Sequence, residues 1–211
     1  MPKSILLVFF LLGSIYCNAQ YPGFVLLKET EDFKNGFSKA TSETKSIQSD
    51  FSQQKTLSML SENILSKGKF WFLKKNKLRM EYLQPYKYLM ILNEGKIYLK
   101  DGQNENKISA NSNKIFRQVN RILVDCVTGN MLDNPDFQSR IFENTGSYLI
   151  ELRPEAPNMK DLYKNINISI DKKDYSANKI EMYETGGDKT IIRFQNKIIN
   201  AQIPVTIFDI P

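Results

Sequence analysis

Between Ile47 and Phe194 the sequence is a succession of short segments in which apolar and polar side chains alternate, punctuated by turns rich in Asn, Asp and Gly. Strict alternation is the signature of a strand with one face buried and one face wet. Leu78-Arg79-Met80-Glu81-Tyr82 is the clearest case, with Leu78, Met80 and Tyr82 on one side. Ile47–Gln53 and Ile64–Leu73 read the same way, with Gly68 marking a bend or bulge. Pro85 stops the Leu78 strand. Tyr88–Leu92 follows as a nearly continuous apolar run, and Asn93-Glu94-Gly95 turns it into Lys96–Lys100. Asp101-Gly102 is a further turn. Strands resume at Arg140–Phe142, Tyr148–Arg153, Ile166–Ile170, Lys179–Glu184 and Thr190–Phe194. The turns between them are Asn144–Ser147, Asp171–Asn178 and Gly186-Gly187-Asp188.

Two segments break this period. Phe24–Glu43 reads as a helix, with Phe33, Phe37 and Ala40 spaced by four and three. Asn113–Val127 places Ile115, Phe116, Val119, Ile122, Leu123 and Cys126 on one helical face, and Thr128-Gly129-Asn130 ends it. The whole is therefore mainly β: one antiparallel sheet of roughly ten strands with two helices. A sheet that wide must curl or close. Two amphipathic helices on its concave side make it an open half-barrel with a helical lid, a shape that encloses an apolar cavity.

Composition narrows the chemistry. The chain has 211 residues and no histidine, which excludes a Ser-His-Asp triad, a Cys-His dyad and a histidine-ligated metal. Two cysteines make neither a four-thiolate zinc site nor a disulfide framework. Asp50, Glu81, Glu151 and Glu181 are strand carboxylates of opposite parity to the apolar positions, and read as solvated outward charges rather than a glycosidase pair. Asp161 beside Lys160 and Lys164 reads as a surface charge pair, and Gly186-Gly187-Asp188 as a hairpin turn rather than a phosphate loop. No catalytic residue, metal site or cofactor is expected. The net charge of +6 is a mild excess. The cluster Lys67, Lys69, Lys74, Lys75, Lys77 and Arg79 reads as a wet outer strand face, with attraction to anionic headgroups as the alternative. Nucleic acid is not an expected partner.

Residues 1–19 read as an address. A short positive start, the apolar run Ile5–Leu12 and the segment Cys17-Asn18-Ala19-Gln20 follow the pattern of a secretory signal peptide, cleaved after Ala19 or else Gln20. Eight apolar residues are too few to anchor in a bilayer, so no stable membrane insertion is expected. Tyr16 disfavours lipid attachment at Cys17. The exported chain, residues 20–211, is then a single domain with Cys126 as its sole thiol.

Several of these segments resemble the periplasmic carriers that deliver lipoproteins to the outer membrane, the LolA family. Phe51-Ser52-Gln53 resembles its Phe-x-Gln, and Gly68-Lys69-Phe70-Trp71-Phe72 its Gly-x-aromatic strand. Leu78–Pro85 is similar to its Arg-aromatic-x-Tyr-x-x-Pro stretch, with Met80 where Trp is common. Asn93–Tyr98 matches its glycine turn, and Ile207–Pro211 its closing Phe-x-x-Pro strand. The resemblance implies a non-enzymatic, monomeric periplasmic protein. It would hold acylated lipoproteins or other lipids, accept them from an inner-membrane lipoprotein-releasing transporter and pass them to an outer-membrane acceptor. Alternatives are a carrier of another lipid or lipid-linked pigment, and an envelope sensor that binds without ferrying. Some members latch the lid with an arginine just after the Gly-x-aromatic strand; Lys74 stands there, and it lacks the arginine fork of donors. Lys74 and Arg79 are the candidates for a lid latch or headgroup contact.

The expected acyl-chain lining is Phe51, Phe70, Phe72, Leu78, Met80, Tyr82, Met90 and Tyr98, aromatic and methionine side chains that conform to an irregular guest. The alternative is that they form a closed core. The expected lid face is Ile115, Val119, Ile122, Leu123 and Cys126, with Cys126 a small buried hydrophobe rather than a reactive thiol. Trp71 points away from Phe70 and Phe72. It is open as a surface aromatic, an interface anchor or part of a second cluster.

Overall fold

The fold is that of a computed structural model, which describes residues 21–60, 62–102 and 122–211 in full and the backbone of 104–109. Its strands are β1 (Val25–Leu26), β2 (Ser46–Leu57), β3 (Glu62–Leu73), β4 (Lys77–Gln84), β5 (Tyr88–Asn93), β6 (Lys96–Asp101), β7 (Asn104–Ser109), β8 (Phe137–Glu143), β9 (Ser147–Pro154), β10 (Tyr163–Asp171), β11 (Ala177–Glu184) and β12 (Lys189–Ile199). They form one sheet in the order β1-β8-β9-β10-β11-β12-β2-β3-β4-β5-β6-β7, antiparallel at every pairing. The edges β1 and β7 do not pair with each other, so the sheet stays open. Among the described residues three α-helical segments accompany it: α1 (Glu31–Glu43), α2 (described over 122–128) and α3 (Pro157–Lys160).

Every segment between Ile47 and Phe194 expected to be a strand lies within β2–β6 or β8–β12. The first helix is shorter than expected. It begins at Glu31, where Glu31 and Asp32 complement the positive end of the helix dipole, and Val25–Leu26 instead pair with Glu143 and Phe142 of β8. Strand β7 was not expected, because Asn104–Ser109 contains one apolar residue and shows no alternation; its backbone bonds to β6 make it a strand. The C-terminal segment is a correction as well. Val205–Phe208 is a 3-10 turn, not a closing strand.

Two glycines hold the geometry. The β3–β4 register slips between Lys67 and Gly68, the expected bulge. A Cβ at Gly68 would lie 2.1 Å from the Glu81 carbonyl oxygen and 2.7 Å from the Phe51 ring, so only glycine fits under that ring. Gly129 ends α2 at φ 85°, its N–H donating to Asp125 O at 3.0 Å. A Cβ there would meet Thr41 Oγ1 of α1 at 2.6 Å. The ends of α1 and α2 thus abut on the same side of the sheet.

Register assigns the faces. Phe51, Gly68, Tyr82 and Tyr88 form one ladder, and Ser49, Phe70, Met80, Met90 and Leu99 the next. Both belong to the main core, where Phe33 and Phe37 of α1 and Ile122, Leu123 and Cys126 of α2 are buried too. Phe33 packs on Tyr148 with ring centroids 4.5 Å apart. The alternate ladder, Trp71, Arg79, Ile91 and Tyr98, lies on the opposite face. There Ile91, Tyr98 and Phe208 form a second core, with Trp71, Leu73 and Ile207 packed on it. Trp71 is therefore part of a second cluster, covered by the C-terminal segment.

Candidate functional site

On the concave side, between the helices and the middle of the sheet, lies a cavity of about 370 Å³. Its apolar part comes from Met80 and Met90 in one half of the sheet, Met182 and Ile192 in the other, and Leu123 of α2 above. Three methionines make a lining that adapts its shape through unbranched side chains. Leu162 adds a further apolar side chain, and the other lining residues are polar or phenolic: Gln53, Lys55, Tyr82, Tyr88, Tyr163, Glu184 and Thr190. The volume is at the lower end of the roughly 300–1,000 Å³ typical of small-molecule sites.

The polar groups are fixed by one another. The Tyr82 hydroxyl donates to Gln53 Oε1 at 3.0 Å, and its ring meets Phe51 edge-on at 4.9 Å and Tyr88 at 5.6 Å. Lys55 Nζ lies 3.4 Å from Glu184 and 3.8 Å from Asp188. Burial pushes the Tyr82 phenol well above the ordinary tyrosine range, and the Tyr88 and Tyr163 phenols up to about 12. All three remain neutral hydroxyl donors at neutral pH. The cavity thus has an apolar floor and a band of neutral and ion-paired polar groups, the pattern an amphiphile requires.

The structure separates the expected lining residues. Met80, Tyr82 and Met90 line this cavity, and Leu123 of the expected lid covers it. Phe51, Phe72 and Leu78 share that face but are packed into the core beside it, and Phe70 borders a separate void of about 20 Å³. Tyr98 is corrected: it lies on the other face, in the cluster with Ile91 and Phe208. Of the lid face, Ile122, Leu123 and Cys126 are buried against the core, while Ile115 and Val119 lie outside the described residues. Cys126 is buried and burial pushes its thiol well up, so it stays protonated.

Among the described residues, neither expected latch bonds to the lid helix. Lys74 Nζ donates to Ser42 O at 2.5 Å and serves the carbonyl end of α1. Arg79 is on the far face, donating to Ile207 O at 3.0 Å and Glu81 at 2.9 Å and lying 5.8 Å from the Trp71 ring centre. It secures the C-terminal segment. The rest of the lysine cluster is dispersed as well, with Lys69 on Asp50 and Lys77 on Glu94. Lys160 pairs with Glu155.

Sequence reasoning missed the contribution of the second half of the sheet. Met182, Thr190 and Ile192 face the cavity from β11 and β12. The alternation Ile180, Met182 already placed Met182 on a buried face; what it lacked was the pairing of β12 with β2, which brings the chain's two halves together. Glu151, expected to be solvated, is 2% exposed on the convex face. It accepts from Tyr21 at 2.7 Å and Arg140 at 2.6 Å, with Arg153 at 3.2 Å. Among the described residues no group of His, Cys, Asp and Glu could hold a metal ion, and no helix is long and apolar enough to cross a membrane.

Residues 42–211 match the family model described as outer membrane lipoprotein carrier protein LolA. No curated protein sequence matches the chain. Among solved structures, an uncharacterized conserved protein from Thermus thermophilus is similar at TM-score 0.52 and 8% identity, over 87% of this chain and 95% of that one. A chain of the Pseudomonas aeruginosa MucA/MucB complex is similar at TM-score 0.52 and 12% identity; 85% of this chain is covered, but only 60% of the other. A LolA superfamily protein from Nitrosomonas europaea aligns at TM-score 0.46 and 9% identity, over 83% and 97% of the two chains. At such identities the likeness is one of fold.

Proposed function

Since the chain belongs to the LolA family of outer membrane lipoprotein carriers, we propose that it is a periplasmic, non-enzymatic carrier of acyl chains, those of lipoproteins first. One observation carries this reading: the cavity floored by Met80, Met90, Met182 and Ile192 with a polar band beside it. An acyl chain of about 15 methylenes gains on the order of 12 kcal/mol on leaving water, at about 0.8 kcal/mol per CH₂. A carrier must supply an equivalent environment and release it again. Leu123 of α2, a helix outside the strand ladder, covers the cavity and can be displaced without breaking a strand pairing. Residues 1–19 direct export, and residues 20–211 act as one carrier domain. The carrier receives its cargo from an inner-membrane lipoprotein-releasing transporter and gives it to an outer-membrane acceptor.

The test is to isolate the protein from its native envelope without detergent and identify co-purifying hydrophobic molecules by mass spectrometry. Bound lipoprotein supports this reading. Bound free lipid or pigment redirects it to another cargo. A protein that is empty and takes up no fluorescent fatty-acyl probe refutes the carrier. The likeness to a chain of the MucA/MucB complex supports a second reading, a module that binds an envelope protein without ferrying cargo. Under it, cargo would bind but would not pass to acceptor membranes.

A further inference from the structure

The β2–β3 hairpin runs past the end of its neighbour. The last β3–β4 pair is Lys67 with Gln84, whereas β3 continues to Glu62. At about 3.3 Å per residue the hairpin extends roughly 17 Å beyond β4. Its tip carries Met59, 94% exposed, and Leu60, with Ile64 and Leu65 exposed behind them. At the same end of the sheet the end of β4 presents Leu83 and the β4–β5 connection presents Tyr86, the latter 79% exposed. These are six large apolar side chains on two separate projections, in a chain whose other described aromatics are largely packed away.

The apolar rim is continuous with the cavity. Ile64 pairs with Lys55, which lines the cavity, and so extends its face outward to the tip. Tyr82 and Tyr88 line the cavity on one side and, on the other, an outer depression of about 320 Å³ shared with Leu83 and Lys87. Lys67 and Lys87 are exposed beside the rim and make no ion pair among the described residues. Two carboxylates stand at the tip: Glu62, and Asp188, which accepts from Ser58 N–H at 3.0 Å and is paired with Lys55 at 3.8 Å. Two projections divided by the end of β4 do not offer the continuous patch, of roughly 800 Å² per partner, that a specific protein interface needs. A bilayer demands no such continuity. Aliphatic tips enter its acyl layer, a tyrosine sits at its headgroup level, and lysines meet anionic phosphates.

We propose that this rim, the Met59–Leu60 hairpin tip with Tyr86 beside it, docks reversibly on the surface of an anionic bilayer and brings the cavity mouth against the lipid. The inference builds on the carrier reading but is tested apart from it. The protein isolated after export is sedimented with vesicles of phosphatidylcholine, or of phosphatidylcholine and phosphatidylglycerol in equal parts. It should sediment with the mixed vesicles and less with the neutral ones. The double variant M59D/L60D should bind the mixed vesicles at least roughly tenfold more weakly. K67E/K87E should abolish the preference for phosphatidylglycerol. Both variants should keep the wild-type urea midpoint and fatty-acyl probe uptake, because none of these side chains faces the cavity floor. A wild type that sediments yet takes up no probe sinks the carrier and leaves the docking rim standing. Failure of the wild type to sediment with either vesicle overturns the proposal, as does undiminished sedimentation of M59D/L60D. Capture of an extended peptide on the open Glu62–Ser66 edge, without vesicle binding, overturns it in favour of strand addition.

Discussion

Tyr82 and Gln53 join hands across the polar end of the cavity: the phenol of β4 donates to Oε1 of β2 at 3.0 Å, over the glycine that separates the two strands. The bond holds the Tyr82 ring against Phe51 and Tyr88 and fixes one wall of the cavity. Tyr82→Phe removes the donor and keeps the ring. The loss should cost about 1 kcal/mol in urea unfolding. Its larger effect should be on dissociation of a bound fatty-acyl probe, several-fold faster by stopped-flow fluorescence, because the wall is freed to move. An unchanged dissociation rate would show that Tyr82 guards nothing.

Leu78 and Met80 are two residues apart on one face of β4 and are equally buried, yet only Met80 borders the cavity. Truncation should therefore separate them. Leu78→Ala opens a hole in closed packing and should cost about 2–5 kcal/mol with little effect on probe affinity. Met80→Ala enlarges a space that already exists. It should cost less and change probe affinity and chain-length preference. Equal costs with no binding change would mean that both belong to ordinary core.

At Gly68 the backbone leaves no room for a methyl group, with the Glu81 carbonyl and the Phe51 ring both closer than contact distance. Gly68→Ala forces the β3–β4 bulge apart. It should destabilise by about 3 kcal/mol and lower probe affinity through the displaced Phe51–Tyr82 pair. A variant as stable as the wild type in urea would place the strain elsewhere.

The alternation of Leu78, Met80 and Tyr82 contained the sheet, its inward face and three residues at or near the cavity. Residue period reports local geometry and the burial it serves. It does not report which strands become neighbours. Tyr98 illustrates the limit: its strand was recognised, but the β5–β6 register pairs it with Ile91 and sends it to the far face. Met182 illustrates the converse, a buried position whose partner across the cavity is set by the β2–β12 pairing. Long side chains are less legible still. Lys74 and Arg79 are candidates, through the family resemblance, for a lid latch or headgroup contact, and both reach for carbonyls of segments that no local pattern puts beside them. Glu151 had the parity of an outward residue and points outward, but Tyr21 and two arginines close over it.

That closure makes Glu151 a structural anchor for the start of the described chain. Its partners are only half-buried, with the Arg140 and Arg153 side chains 30% and 44% exposed, so solvent weakens the attraction. Glu151→Gln keeps the shape and removes the charge. The expected cost is about 2 kcal/mol, typical of hydrogen bonds to a charged group. Amide exchange should quicken at Val25–Leu26, since Tyr21 exchanges a charged acceptor for a neutral one and leans on Asn167 Oδ1 at 3.1 Å instead. Acyl-probe affinity should be unchanged, because this cluster lies across the sheet from the cavity.

The tyrosines at the cavity set the alkaline limit of stability. Tyr88 and Tyr163 ionise at about 12 in the folded chain because burial opposes the phenolate, against about 10 for an exposed phenol. Below pH of about 10 both states keep these protons and the groups exert no pH dependence. Between about 10 and 12 the unfolded chain loses them and the folded chain does not, so stability falls as pH rises. Above the folded value the slope disappears. Urea unfolding followed from about pH 9 to 12 should show this decline, and Tyr163→Phe should make it shallower without altering stability trends at neutral pH. A decline of the same slope in Tyr163→Phe would assign the alkaline limit to other groups.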